Sequence, residues 1–332
     1  MNRSLRIDFL KGICMFYITA IFHLTGYLGG NYYLFNNVYG NSFMCSCLGT
    51  FSLLSGILLG GKYSCSTFKD VNYFYKKRLL RFYPLFLLAT ICLYLIGFND
   101  FKTSIYALLG LAPFVSPRAY TLWYISMIMI FYLLSPFVLT NNNKQRIIRC
   151  VILFLFWCFL YWFVDFRSIS IDFRFIFNLL CFLFGVCIVR YKKKIFGSSF
   201  YKRYKTIIYC TTITIYLIFF LYLSYIEKGV LFKLSKLLVD YLGVIVLIIL
   251  SDIIKMNRYR KVIYFLSYIS MSFYLFHRFT YWACLSFYKP ENIILLFIYL
   301  LLVSVPLGMF FSYYIQKTYD ALVTNLKNQH KR

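Results

Sequence analysis

Charge is scarce in this chain. Of 332 residues only 14% are Asp, Glu, Lys or Arg, while 61% are hydrophobic and 23% aromatic. A water-soluble domain of this size needs far more polar surface, so a freely soluble protein is excluded. Long polar stretches are missing too, which leaves no separate soluble domain. The first apolar run lacks a small-residue cleavage site and outlasts a signal-peptide core, so it reads as a spanning helix, and the mature chain is expected to start at Met1. Acidic side chains number 10 against 36 basic ones, a formal net charge of +26. Nucleic-acid binding would need the basic residues gathered on one water-facing surface. Eleven cysteines are present, but only Cys45 and Cys47 lie close together, without the partners a tetrahedral metal site requires. They read as small packing residues, and no metal is expected.

What remains is a succession of apolar runs. A bilayer core needs about 20 mostly apolar residues per helix, and ten stretches qualify: about 7 to 28, 42 to 61, 79 to 97, 121 to 139, 147 to 164, 174 to 190, 206 to 226, 236 to 254, 262 to 283 and 292 to 316. The fold class is all-α, one polytopic helix bundle spanning 1–332. The stretch 103 to 115 is short for a span and ends near Pro113, so it reads better as interfacial or re-entrant, with an eleventh span as the open alternative. Lysine and arginine concentrate in alternate loops: Lys62 to Arg81, Lys144 to Arg149, Arg190 to Lys205, Lys255 to Lys261 and the tail ending at Arg332. That positive-inside bias places both termini in the cytoplasm and the basic loops against membrane lipids, with no nucleic-acid partner. The other loops are short, the largest being 98 to 120.

Histidine is rarer still, with three in the chain, and two of them sit in apolar runs. At a rise of 1.5 Å per residue, His23 lies roughly 24 Å and His277 roughly 22 Å from the inner ends of their helices. Both therefore belong to the outer layer. A single membrane histidine is explained equally by hydrogen-bonded packing or by catalysis. Two at one depth tilt toward function, because ionisable groups there face the bundle interior, and a neutral imidazole can take and return a proton. Near that depth lie Trp123, Tyr124, Arg118 and Arg278. The aromatic pair suits either a sugar face or the interfacial belt. The segment from Asp165 and Arg167 to Asp172 and Arg174 suits either acceptor binding or simple ion pairing. On the opposite side Arg78 and Arg81 stand three apart where the third span begins, fit to grip phosphates or to anchor the helix. Lys11 can snorkel to the inner surface, and Ser55 with Gly56 suits close helix packing.

Several ordered segments resemble the acyltransferase-3 family of integral membrane enzymes, which O-acylate extracytoplasmic acceptors. They are RIDFLKG from Arg6 to Gly12 leading to His23, FSLLSG from Phe51 to Gly56, RLLRFYP from Arg78 to Pro84, Leu122-Trp123-Tyr124, and ISMSFYLFH from Ile269 to His277. The resemblance implies about ten helices, a cytoplasmic acyl-coenzyme A donor and an external hydroxyl acceptor. It matches His23 to the family's first-span histidine and Arg78 with Arg81 to its donor-associated pair. The family commonly places a basic residue eleven positions before the histidine, whereas Lys11 is twelve before His23. Eleven residues return a helix to within about 20° of the same face; twelve leave it roughly 120° away. A one-residue π-bulge restores the alignment. One family branch carries Glu two positions after a fourth-span serine, where this chain has Ser126 and Ile128; the pattern here looks more like the branch acting on capsular or exopolysaccharide sugars.

The expected activity is transfer of an acyl group, acetyl by preference, from acetyl-CoA to a sugar hydroxyl of a surface polysaccharide or lipid-linked glycan, by a multi-pass protein of the cell membrane. His23 is the expected base and His277 a second catalytic candidate. Arg78, Arg81, Lys11 and Ser55 are expected along the donor path, and Trp123 and Tyr124 beside the acceptor. The main rival is a polysaccharide flippase or exporter, but neither internal repeats nor broken helices in matching halves are seen. A glycan polymerase would carry a large basic outer loop.

Overall fold

In lipid, backbone amides and carbonyls must be satisfied within the chain, which favours helices. The described residues form helices and no strand. The computed structural model describes residues 4–29, 37–166, 172–226 and 229–329. In chain order the helices are α1 (Leu5–Thr25), α2 (Val38–Lys62), α3 (Phe68–Leu95), α4 (Phe101–Leu108), α5 (Leu122–Val138), α6 (Asn143–Phe166), α7 (Phe173–Phe196), α8 (Ser199–Tyr222), α9 (Val230–Ile253), α10 (Arg260–Phe287) and α11 (residues 293–329). Eight of these, α1 to α3, α6 to α9 and α11, are long and apolar enough to cross a membrane. The other two expected spans are helices as well. α5 has 17 residues, and α10 is polar for a spanning helix because Ser272, His277 and Thr280 lie along it, all buried against protein.

The stretch read as short for a span forms α4, whose eight residues rise only about 12 Å, followed by a 3₁₀ turn at Ala112–Phe114. Asp100 caps α4, its carboxylate accepting from the Thr103 amide at 2.7 Å and the Thr103 hydroxyl at 2.6 Å. The hydroxyl, then the amide, hold that carboxyl below its ordinary range.

The chain divides into two compact units. The first draws on the described residues of 1–36, 76–127 and 256–332, the second on those of 37–75 and 128–255. In the first, α1 meets α10 at Gly12, where an added Cβ would stand 2.9 Å from that of Leu266. The Ser267 hydroxyl donates to the Asp8 carboxylate at 2.6 Å one turn away. On its other side α10 packs on α11, with Gly308 close to Phe273 and Thr280. Two prolines shape these helices. Pro84 has no N–H for the Leu80 carbonyl one turn back, and the Tyr319 hydroxyl of α11 donates there instead. Pro306 follows a π-helical turn at Leu300–Ser304, where the helix has already departed from its regular ladder.

In the second unit α2 is the central element. Its glycines let it approach α7 backbone to backbone. Ser46 reaches α9, donating to the Asp240 carbonyl at 3.0 Å. The Asp240 side chain is fully buried. It accepts from Lys236 one turn earlier at 2.8 Å and from the Ser42 hydroxyl of α2. Both carboxylate oxygens are thus engaged, which a buried charge requires. Arg146, from a loop cluster read as positive-inside charge, is 1% exposed. Its guanidinium donates to the Thr140 carbonyl at 3.1 Å and to the Gly60 carbonyl at 2.9 Å. One of the basic residues taken for a lipid-facing charge therefore ties down carbonyls near the ends of α2 and α5.

Candidate active site

The twelve-residue spacing from Lys11 to His23 has its structural counterpart in α1. Residues Tyr17–Phe22 form a π-helical turn, and His23 follows it directly. A π turn absorbs one residue, so by helix arithmetic Lys11 and His23 return to within about 20° of one face. Lys11 is half-buried there.

Close packing of α1 on α10 then brings the two histidines together. His23 Nδ1 and His277 Nε2 are 2.9 Å apart, and the ring planes are within 9° of parallel. His277 has no exposed surface, whereas His23 keeps part of its own. The second ring nitrogen of His277, Nδ1, donates to the Tyr274 carbonyl at 2.8 Å. Around the pair lie Tyr274, 6.5 Å from His23 and 6.1 Å from His277 between ring centroids, and Tyr281, edge-on to His277 at 5.7 Å. The Tyr281 hydroxyl donates at 3.1 Å to the carbonyl of Thr19 inside the π turn. A widened turn leaves carbonyls poorly matched to the regular ladder, and here one of them holds the site together.

Of the aromatic acceptor candidates, Tyr124 is 4% exposed and packs on Tyr274 with centroids 5.9 Å apart. Trp123 is half-buried one ring further out. Arg278 turns toward the segment before α5. Its guanidinium lies 5.4 Å from the Tyr120 ring and 5.9 Å from that of Phe98, and its Nε donates to the Thr121 hydroxyl at 2.7 Å. The Tyr274 hydroxyl donates to the Thr121 carbonyl at 3.1 Å. Thr121 has φ 62, a conformation rare for a β-branched residue and costing about 1–3 kcal/mol. Two side chains of the histidine helix thus anchor this strained residue. Sequence reading named Arg278 without a role and missed Thr121, Tyr274 and Tyr281; the spacing Tyr274 to His277, one turn on α10, was the only available signal.

The remaining candidates are distributed as follows. Arg78 is buried on α3, while Arg81, three residues on, is exposed. The two thus differ in burial, though they lie three apart on one helix. Ser55 belongs to the second unit, half-buried on α2, and its neighbour Gly56 is a close-packing residue. Arg174 pairs with Asp172, Nε to Oδ2 at 2.8 Å, the ion-pair alternative; Arg167 lies outside the described residues. Arg118 is half-buried. Cys45 and Cys47 are both buried on α2, and Lys236 Nζ stands 3.7 Å from Cys45 Sγ.

A multi-pass helical membrane protein with an imidazole pair in its interior is the class these features define. The family profile described as an acyltransferase domain, acyltransferase-3, matches residues 4–316, and the chain belongs to that family. No curated protein and no solved structure matches it. It is an acyltransferase of the membrane O-acyltransferase type.

Proposed function

We propose that the protein transfers an acetyl group from acetyl-CoA in the cytoplasm to a hydroxyl of a surface polysaccharide or lipid-linked glycan at the outer face of the cell membrane. The observation supporting it most directly is His23, partly exposed and hydrogen-bonded to His277 just beyond a π turn. In the reaction His23 takes the acceptor hydroxyl proton as the oxygen attacks the thioester carbonyl. The C–S bond breaks as the ester C–O bond forms, and the proton passes to the departing thiolate to give coenzyme A thiol. General-base assistance of this kind contributes about 10²–10⁴-fold. Arg78 and Arg81 bind the donor's phosphates, Lys11 lies along the path of its pantetheine arm, and Trp123 and Tyr124 border the acceptor.

Mass spectrometry of surface glycans from cells with and without the protein is the primary test. An acetyl-sized difference is expected; identical glycans with the protein present in the membrane would overturn the proposal. The donor assignment is checked through Arg81, whose exposure makes substitution harmless to folding. Arg81→Ala is expected to weaken coenzyme A binding to purified protein about tenfold, as loss of a charged hydrogen bond would, without changing its thermal midpoint. Unaltered affinity would return Arg81 to membrane anchoring.

A further inference from the structure

We infer that His277 is a positioning residue that fixes the tautomer of His23, leaving Nε2 of His23 as the atom that takes the proton. The inference rests on His23 being the base and adds what sets its orientation. A carbonyl oxygen can only accept, so the contact from Tyr274 requires a hydrogen on His277 Nδ1. His277 has no exposed surface, and a buried imidazole is held neutral by the cost of an unpaired interior charge. A neutral imidazole has one N–H, which is already committed to Tyr274, so His277 Nε2 presents a lone pair.

The 2.9 Å contact between the rings then has one direction, with His23 Nδ1–H donating to His277 Nε2. Neutral His23 is left with its lone pair on Nε2. Ring rotation that would undo this order is opposed on several sides, because Tyr281 and Phe273 both stand edge-on to His277. Tyr274, which supplies the first carbonyl, is itself tied through its hydroxyl to Thr121. When Nε2 gains a proton, Nδ1–H remains on His277 and the imidazolium keeps its bond. A catalytic triad uses a carboxylate for the same orienting task; here a neutral ring supplied by a backbone carbonyl does it.

The full chain in lipid nanodiscs, labelled with ¹⁵N-histidine, gives a direct test because it has three histidines. The His330→Gln variant reduces the spectrum to two rings. Protonated and unprotonated ring nitrogens resonate far apart, so the tautomers are read without substrate. Both histidines are expected as Nδ1–H tautomers at a pH where they are neutral, and a hydrogen found on Nε2 of His23 overturns the inference even if His277 variants do not fold. His277→Gln, whose amide oxygen can accept in place of Nε2, is expected to keep the His23 tautomer and turnover within about tenfold. His277→Phe is expected to lose the tautomer preference, with kcat falling on the order of 10²–10⁴-fold and KM unchanged. Equal losses in the Gln and Phe variants would mean that His277 only fills space. The spectrum reports on the ring order alone and loss of activity in His23 variants on the base alone, so the two readings fail separately.

Discussion

Replacing His23 with alanine is expected to remove acetyl modification of the surface glycan to the limit of detection, while the protein still accumulates in the membrane. Without a base the attacking hydroxyl keeps its proton into the transition state, and the loss is about 10²–10⁴-fold. The structural cost is smaller. His277 loses the imidazole that meets its Nε2, and an unpaired buried acceptor costs about 1–3 kcal/mol. His23→Asn separates the two effects, since its amide can still donate to His277 Nε2 but cannot take a proton at neutral pH. Both variants are expected to be inactive, and the asparagine variant to keep a thermal midpoint closer to that of the unaltered protein. Retained modification in either would remove His23 from the base role.

Gly56→Leu is expected to prevent stable folding of the second unit. A Cβ at position 56 would lie 2.1 Å from the Phe182 carbonyl oxygen, and one at Gly185 would lie 2.3 Å from that of Leu53. Each glycine faces the backbone of the other helix, so no side chain can swing aside. The helices must separate, which forfeits the packing that surrounds the contact. Overpacking a core commonly costs about 1–3 kcal/mol, and a backbone clash lies at or above the upper end of that range. Gly56→Ala should lower the thermal midpoint in detergent, and Gly56→Leu should leave little protein in the membrane. Leu155→Ala, on the exposed face of α6, is the control expected to change stability by under about 0.5 kcal/mol. Normal yield and midpoint for Gly56→Leu would show that α2 and α7 do not meet through their glycines.

Much of the fold was legible because hydropathy is local. Each of the ten apolar runs became a helix, and the run from 103 to 115 stayed short, as its length favoured. The π turn was raised as a question by the sequence for a different reason: Lys11 stands one residue further from His23 than the family spacing, and a π turn in α1 is one way to absorb that residue. Side-chain partners were not legible. Arg146 and Arg149 look alike in sequence, three residues apart in one basic cluster, yet Arg146 is buried among carbonyls of α2 and of the segment after α5, whereas Arg149 is only half-buried and lies along α5 against the Phe137 ring and carbonyl. Arg78 and Arg81 divide in the same way. Which basic residue turns inward depends on what the neighbouring helix presents there, and spacing along one helix holds no record of that.

The sequence by itself determined a helical membrane protein of the acyltransferase-3 type, with His23 and His277 at one depth, because segment length, hydropathy and residue order are properties of the chain alone. Only the tertiary structure decided that the two rings touch and that His277 is anchored on the Tyr274 carbonyl. It also turned Arg278 onto Phe98, Tyr120 and Thr121. All of these except the Tyr274 contact, which is one turn along α10, join residues more than a hundred positions apart, and their direction follows from helix packing at Gly12 and from which nitrogen of each ring meets which acceptor.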